Sequence, residues 1–121
     1  MSGPLDSIVK KKLIPTPEVV STDFSTDFID MSGVEESYSI QLDYSNGNGA
    51  VDMQFTVSVS VDGNVYVPID DPKVVVDITD DSGTIIWEIA FRGVNFCRVD
   101  VTVNAGQLTI DGCEYSGNRR H

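Results

Sequence analysis

Two stretches of the chain alternate apolar and polar residues with a period of two. Tyr38, Ile40, Leu42 and Tyr44 interleave with Ser39, Gln41 and Asp43, and Val51, Met53, Phe55, Val57, Val59 and Val61 interleave with Asp52, Gln54, Thr56, Ser58 and Ser60. Successive side chains of a strand point to opposite faces, so each stretch predicts a half-buried strand with one dry and one wet face. Ser45-Asn46-Gly47-Asn48-Gly49 between them reads as a loop.

The register of the next strand follows from keeping apolar residues on one face. A two-residue Asp62-Gly63 turn would put the faces out of phase. A three-residue loop, Asp62-Gly63-Asn64, pairs Val61 with Val65, Val59 with Val67 and Val57 with Ile69. It requires Gly63 or Asn64 in the left-handed region. Pro68 marks that strand as short or as an edge. Two further hairpins are predicted. One joins Val74, Val76 and Ile78 to Ile85, Trp87 and Ile89 through Asp80-Asp81-Ser82-Gly83, with Ile78 opposite Ile85 and Val76 opposite Trp87. The other carries Cys97, Val99, Val101 and Val103 inward, turns at Ala105-Gly106 and returns through Leu108 and Ile110, with Arg98, Asp100 and Thr102 outward.

Pro4, Pro15 and Pro17 interrupt residues 1–18, which show no sustained period and read as an extended N-terminal arm. No helical period follows residue 19. The expected fold class is all-β, an antiparallel β-sandwich or jelly-roll-like domain of about seven or eight strands. Its division is an N-terminal arm at 1–18, a sandwich domain at 19–113 and a C-terminal tail at 114–121. A length of 121 residues suits a single core of this kind. The opening Met1-Ser2-Gly3-Pro4-Leu5-Asp6 lacks the apolar block of an export signal, and no run reaches the length of a membrane span.

Charge sharpens the picture. The net charge is −11, but Lys10, Lys11, Lys12, Arg119 and Arg120 lie at the ends, so residues 13–118 carry −15 with only Lys73, Arg92 and Arg98 as cations. Such a body repels phosphates, which argues against direct nucleic-acid binding. Most of this charge reads as a solubilising surface. The basic ends are candidates for contacts with acidic neighbours, and removal of residues 1–18 is expected to leave a folded body that no longer assembles.

Candidate chemistry is sparse. The one histidine, His121, is terminal, which leaves no Ser/His/Asp or Cys/His set, and no glycine-rich phosphate loop or other cofactor motif is present. The acidic residues sit in turns and on wet strand faces, where they stay ionised. Asp77, Thr79, Asp81 and Glu88 have the offsets of a calcium loop, but Ser82 stands where that loop needs glycine. Asp70, Asp71, Asp80 and Asp81 read as acidic hairpin tips, with a calcium site as the alternative. Cys97 and Cys113 are read as buried free thiols; the last hairpin would place Cys97 opposite Glu114, with Cys113 on the wet face unless Gly112 forms a bulge. Trp87, flanked by Ile85 and Ile89 on one face, reads as core. Tyr66 points outward and joins Lys10, Lys11, Lys12, Arg119 and Arg120 as a candidate interface residue.

Ile29-Asp30-Met31-Ser32-Gly33, Tyr38-Ser39-Ile40-Gln41-Leu42, Ser58-Val59-Ser60-Val61-Asp62-Gly63-Asn64, Trp87-Glu88-Ile89 and Phe96-Cys97-Arg98-Val99 follow one another in an order that resembles the small β-sandwich structural proteins of tailed phages and prophages. Tyr66 stands where those proteins tend to have Trp. The resemblance, over about residues 27–110, implies a non-enzymatic virion component: a capsid decoration, a neck or vertex protein, or a small tail part. It implies other virion proteins and further copies as partners, without a cofactor, a membrane or direct nucleic-acid contact. The alternative is a carbohydrate-binding or host-recognition module using Tyr44, Asn46, Asn48 and Tyr66.

Overall fold

The computed structural model describes residues 6–14, 17–31, 34–69, 74–90 and 95–120, with the backbone alone described at 6–11, 34–37, 90 and 118–120. Two long strands organise it. β5 (Val34–Ser60) and β9 (Phe96–Arg120) run antiparallel along nearly their whole length, from Val34↔Arg119 to Ser60↔Phe96. Both bend at the same place. Asn48 pairs with Gln107 and Asp52 with Ala105, with register shifts on either side. Asn46, Gly49 and Ala50 on β5 and Gly106 on β9 adopt left-handed backbone there, at φ 56°, 79°, 55° and 83°.

The sequence takes Ser45–Gly49 as a loop between two strands and Ala105-Gly106 as a hairpin turn. The structure corrects this. The two signals lie opposite each other in β5 and β9, so they crease one continuous ribbon. Each half of the ribbon then lies in one layer of a sandwich. Tyr44 of one half meets Phe55 of the other with ring centroids 6.1 Å apart.

The remaining strands add to the ribbon's two edges. β1 (Asp6–Ile14) and β2 (Glu18–Val20) pair with the C-terminal half of β9, and β3 (Phe24–Ser25) and β4 (Ile29–Asp30) with its N-terminal half. On the opposite edge, β6 (Val67–Pro68) and β7 (Val76–Ile78) pair with the second half of β5, and β8 (Gly83–Ala90) with the first. One layer is therefore β1-β9-β5-β8 and the facing layer is β3/β4-β9-β5-β6/β7. This is an antiparallel jelly roll, made by folding a ribbon over on itself.

The expected β7–β8 hairpin does not form. Ile78 pairs with Met53 and Ile85 with Leu42, so β7 and β8 occupy opposite layers. The intervening loop crosses at the crease, where Gly47 donates its N–H to the Asp81 carbonyl at 2.9 Å. Trp87 still reaches the Val74 region, but across the sandwich: its indole N–H donates to the Val74 carbonyl at 2.8 Å.

Within the segments read as arm (1–18) and tail (114–121), residues 6–12 pair with residues 114–120, from Asp6↔Arg120 to Lys12↔Glu114. Leu13 and Ile14 lie in the core with Ile40, Leu42, Phe55, Val99, Leu108, Ile110 and Tyr115. The prolines bracket this strand and do not prevent it. Cys97 and Cys113 are both free and fully buried. Cys97 pairs with Val59 and Ile29, not with Glu114. Cys113 reaches the dry face through a bulge, at Asp111 and not at Gly112: Asp43 pairs with Gly112 and Tyr44 with Ile110, so Asp111 is the extra residue. Burial pushes both thiols up to about 12. The second cause is Cys113 for Cys97, and Asp43 followed by Glu114 for Cys113.

Candidate protein interface

The turn after β5 is built from short polar side chains. Asp62 Oδ1 accepts the backbone N–H of Asn64 at 2.8 Å and of Val65 at 3.0 Å. Ser60 Oγ donates to the same carboxylate oxygen at 3.0 Å and accepts the Gly63 N–H at 2.9 Å. Gly63 has φ 79°, the left-handed conformation expected for it or Asn64. These bonds, the Val65 N–H first, lower the Asp62 carboxyl below its ordinary range. Asn95 ties the turn to the start of β9, donating its N–H to the Ser60 carbonyl at 3.1 Å and its side-chain amide to the Val61 carbonyl at 3.0 Å. The loop is thus held in one shape.

What it holds up is apolar. Val59 pairs with Val67 as the three-residue loop requires, yet Val61, Val65 and Val67 are 65%, 68% and 56% exposed. Alternation alone places all three on the dry face. They lie at the end of the sandwich, where alternation continues but no opposing strand among the described residues covers it. With Val59, Ser60 and Asp62 they line a shallow groove of about 390 Å³. Phe28, 55% exposed, extends the apolar end through an edge-on contact with Phe96 at 5.5 Å, and Phe96 lies beneath Gly63. An exposed apolar surface of this kind, with the Asp62 carboxylate beside it, is the signature of a protein contact. The signal available in the sequence was the run of valines on both sides of a tight turn, more than a strand end needs.

Behind the tip is a polar network on the outer face. Asp100 accepts hydrogen bonds from Ser25 Oγ at 2.6 Å, Ser58 Oγ at 2.5 Å and Arg98 Nε at 2.9 Å. The Arg98 guanidinium lies 4.1 Å from the centroid of the Tyr66 ring. Tyr66 is half-buried by this stacking, and burial raises its hydroxyl above the ordinary value while Arg98 opposes the shift. Arg98 and Asp100 do face outward as expected.

The expected interface residues fall on separate surfaces. Tyr66 belongs to the outer face just described. Lys10, Lys11 and Lys12 lie on β1 opposite Ser116, Tyr115 and Glu114, while Arg119 and Arg120 lie opposite Ser7 and Asp6, all in the other layer. Lys12 is exposed; the side chains of Lys10, Lys11, Arg119 and Arg120 are outside the described residues. Of the residues considered for glycan binding, Tyr44 is buried against Phe55 and offers no stacking face, whereas Asn46 and Asn48 are exposed at the crease. Asp70 and Asp71 lie outside the described residues. Among the described residues no group of three or more His, Cys, Asp or Glu side chains is gathered as a metal site.

No protein-family model and no curated protein matches the chain. Solved structures do. The chain superimposes on a protein of infectious bursal disease virus, Gx strain, with a TM-score of 0.62 at 5% identity, covering 95% of this chain and 32% of that one. The VP2 subviral particle of the same virus matches with a TM-score of 0.59 at 8% identity, covering 95% and 33%. The insecticidal delta-endotoxin Cry8Ea1 from Bacillus thuringiensis matches with a TM-score of 0.53 at 13% identity, covering 84% and 19%. The chain thus spans about a third of the length of the viral chains. At these identities the likeness is one of fold: an all-β jelly roll of the kind found in viral capsid proteins.

Proposed function

We propose that this chain is a non-enzymatic structural component of a virus particle, specifically of a tailed phage, where it serves as a capsid decoration, a neck or vertex protein, or a small tail part. The observation that carries this reading is the rigid apolar tip formed by Val61, Val65, Val67 and Phe28. A chain of net charge −11 that fixes four large apolar side chains in water at one end is built to dock that end on another protein. The jelly roll shared with viral capsid proteins and the resemblance of the motif order to phage structural proteins support the same reading. Its partners are other virion proteins and further copies of the chain, with the particle as its location. The acidic body keeps it off the packaged nucleic acid. In this reading the β1/β9 end carrying Lys10, Lys11, Lys12, Arg119 and Arg120 supplies a second contact, toward acidic neighbours, and Tyr66 flanks the first.

The test is co-purification with particles from the encoding strain by density gradient. Wild-type protein is expected in the particle fraction. The double variant Val61→Asp, Val65→Asp, altered only at exposed positions, is expected to fold normally and to fall at least about tenfold in that fraction, as loss of an interface centre of a few kcal/mol demands. Wild-type protein confined to the unassembled fraction would count against the proposal.

A further inference from the structure

The sheet edges of this protein are not equally protected. An edge strand presents unpaired N–H and C=O groups that can template another chain, and proteins blunt such edges with lysine, proline, bulges or brevity. β1 carries Lys10, Lys11 and Lys12 and a register shift at Leu13. β3 and β4 are two residues each, β6 is two residues including Pro68, and β7 is three. β8 has none of these devices. It runs eight residues, Gly83-Thr84-Ile85-Ile86-Trp87-Glu88-Ile89-Ala90, in unbroken register with β5 from Tyr44↔Gly83 to Ser37↔Ala90. Its only charge is Glu88. Among the described residues its backbone pairs with β5 alone, and Ile86 at its middle is 60% exposed.

The strand also supplies its own complement. Directly opposite residues of an antiparallel pair share a face, so two copies of β8 related by a two-fold axis must be centred on a residue. Centring on Ile86 uses most of the strand. On the wet face Ile86 meets Ile86 of the second copy, and Thr84 meets Glu88, so the acidic side chains do not oppose each other. On the dry face Ile85 meets Trp87 of the second copy, extending the core from one sandwich toward the next. Centring on Trp87 would set two large rings face to face.

We propose that β8 is a homodimerisation edge: two copies join antiparallel about Ile86, and the layer β1-β9-β5-β8 continues into its counterpart as one sheet. A heterologous strand would need its own match to this pattern, whereas a second copy has it already. The otherwise repulsive body meets its copy along an eight-residue edge that carries one charge. This assignment rests on the strand itself and stands apart from membership of a particle.

Sedimentation equilibrium of the intact chain tests it. The wild type is expected at twice 13.2 kDa. Ile86→Lys places two like charges opposite each other on the axis and is expected at the monomer mass while still folded by circular dichroism. Ile86→Cys is expected to form a covalent dimer on mild oxidation, because opposed Cα atoms at about 4.5–5.5 Å lie within disulfide reach. Val19→Cys, at another exposed position, is expected to remain uncrosslinked. A monomeric wild type at concentrations of order 100 μM, or a dimer that survives Ile86→Lys, overturns the proposal; either result leaves the particle co-purification reading untouched.

Discussion

Four residues carry the crease in the ribbon, and only two of them are glycine. Gly106 has φ 83°, and a Cβ there would stand 2.8 Å from the Val51 Cα and 3.1 Å from the Asn48 carbonyl oxygen. Ala50 holds φ 55° with a side chain that disfavours it. The two positions therefore respond with opposite signs. Gly106→Ala is expected to lose more than about 1 kcal/mol in urea denaturation, since both conformation and space oppose the methyl group. Ala50→Gly is expected to gain roughly 1 kcal/mol by relieving left-handed strain. Equal effects at the two sites would mean that the crease is not held by backbone conformation. Asn46, at φ 56°, is a residue type that tolerates this region.

At the scale of elements, β1 is the revealing case. Read as an arm, residues 1–18 should be dispensable for folding. Residues 6–14 are instead paired with the C-terminal part of β9: Leu13 is fully buried, and removal of β1 would strip the edge partner from β9 between Cys113 and Arg120. Leu13→Ala is expected to cost about 2–5 kcal/mol, as for other large-to-small core changes. Deletion of residues 1–14 is expected to lower the melting temperature sharply by circular dichroism. A truncated chain that melts like the full one would restore the arm. The three lysines acquire a role in this setting. Lys12 is exposed on the outermost strand, and lysine on an edge discourages pairing with a foreign strand. The Asp62 turn shows the opposite economy, with a strong local hydrogen-bond set stiffening a loop whose valines stay largely exposed.

For the whole molecule, the buried thiols give stability a defined pH dependence. Cys97 and Cys113 ionise at an ordinary value of 9.0 when unfolded and at about 12 when folded. Their neutral form is the folded form, so the stability they permit is fully present below pH 9 and is lost as pH rises from there toward 12. Melting temperature is expected to hold between pH 7 and 8.5 and to fall progressively above about pH 9. Tyr44 and Tyr66, both raised by burial, add to the loss at the upper end of that range. In the same samples both thiols are expected to resist alkylation until the chain is unfolded, with two equivalents then reacting in the absence of reductant. Rapid alkylation of the native chain, or a melting temperature indifferent to pH above 9, would contradict the burial described for them.

The alternation within β5 and β9, a left-handed residue at Gly63 or Asn64, the Val59–Val67 register and the core placement of Trp87 follow from the order of residues, because they are local. Period two, a tight turn and a glycine act within a few positions of one another. What only the tertiary structure decided is which strands meet. The Ser45–Gly49 and Ala105-Gly106 signals mean a loop and a hairpin turn when read singly, and a shared bend when they fall opposite each other. That coincidence depends on the pairing of residues nearly sixty positions apart. The same long-range pairing sends β7 and β8 to opposite layers, turns residues 6–14 of the apparent arm into a strand and leaves Val61, Val65 and Val67 exposed at the end of the sandwich. Alternation fixes the face on which a side chain lies, but only the opposing layer determines whether that face is covered.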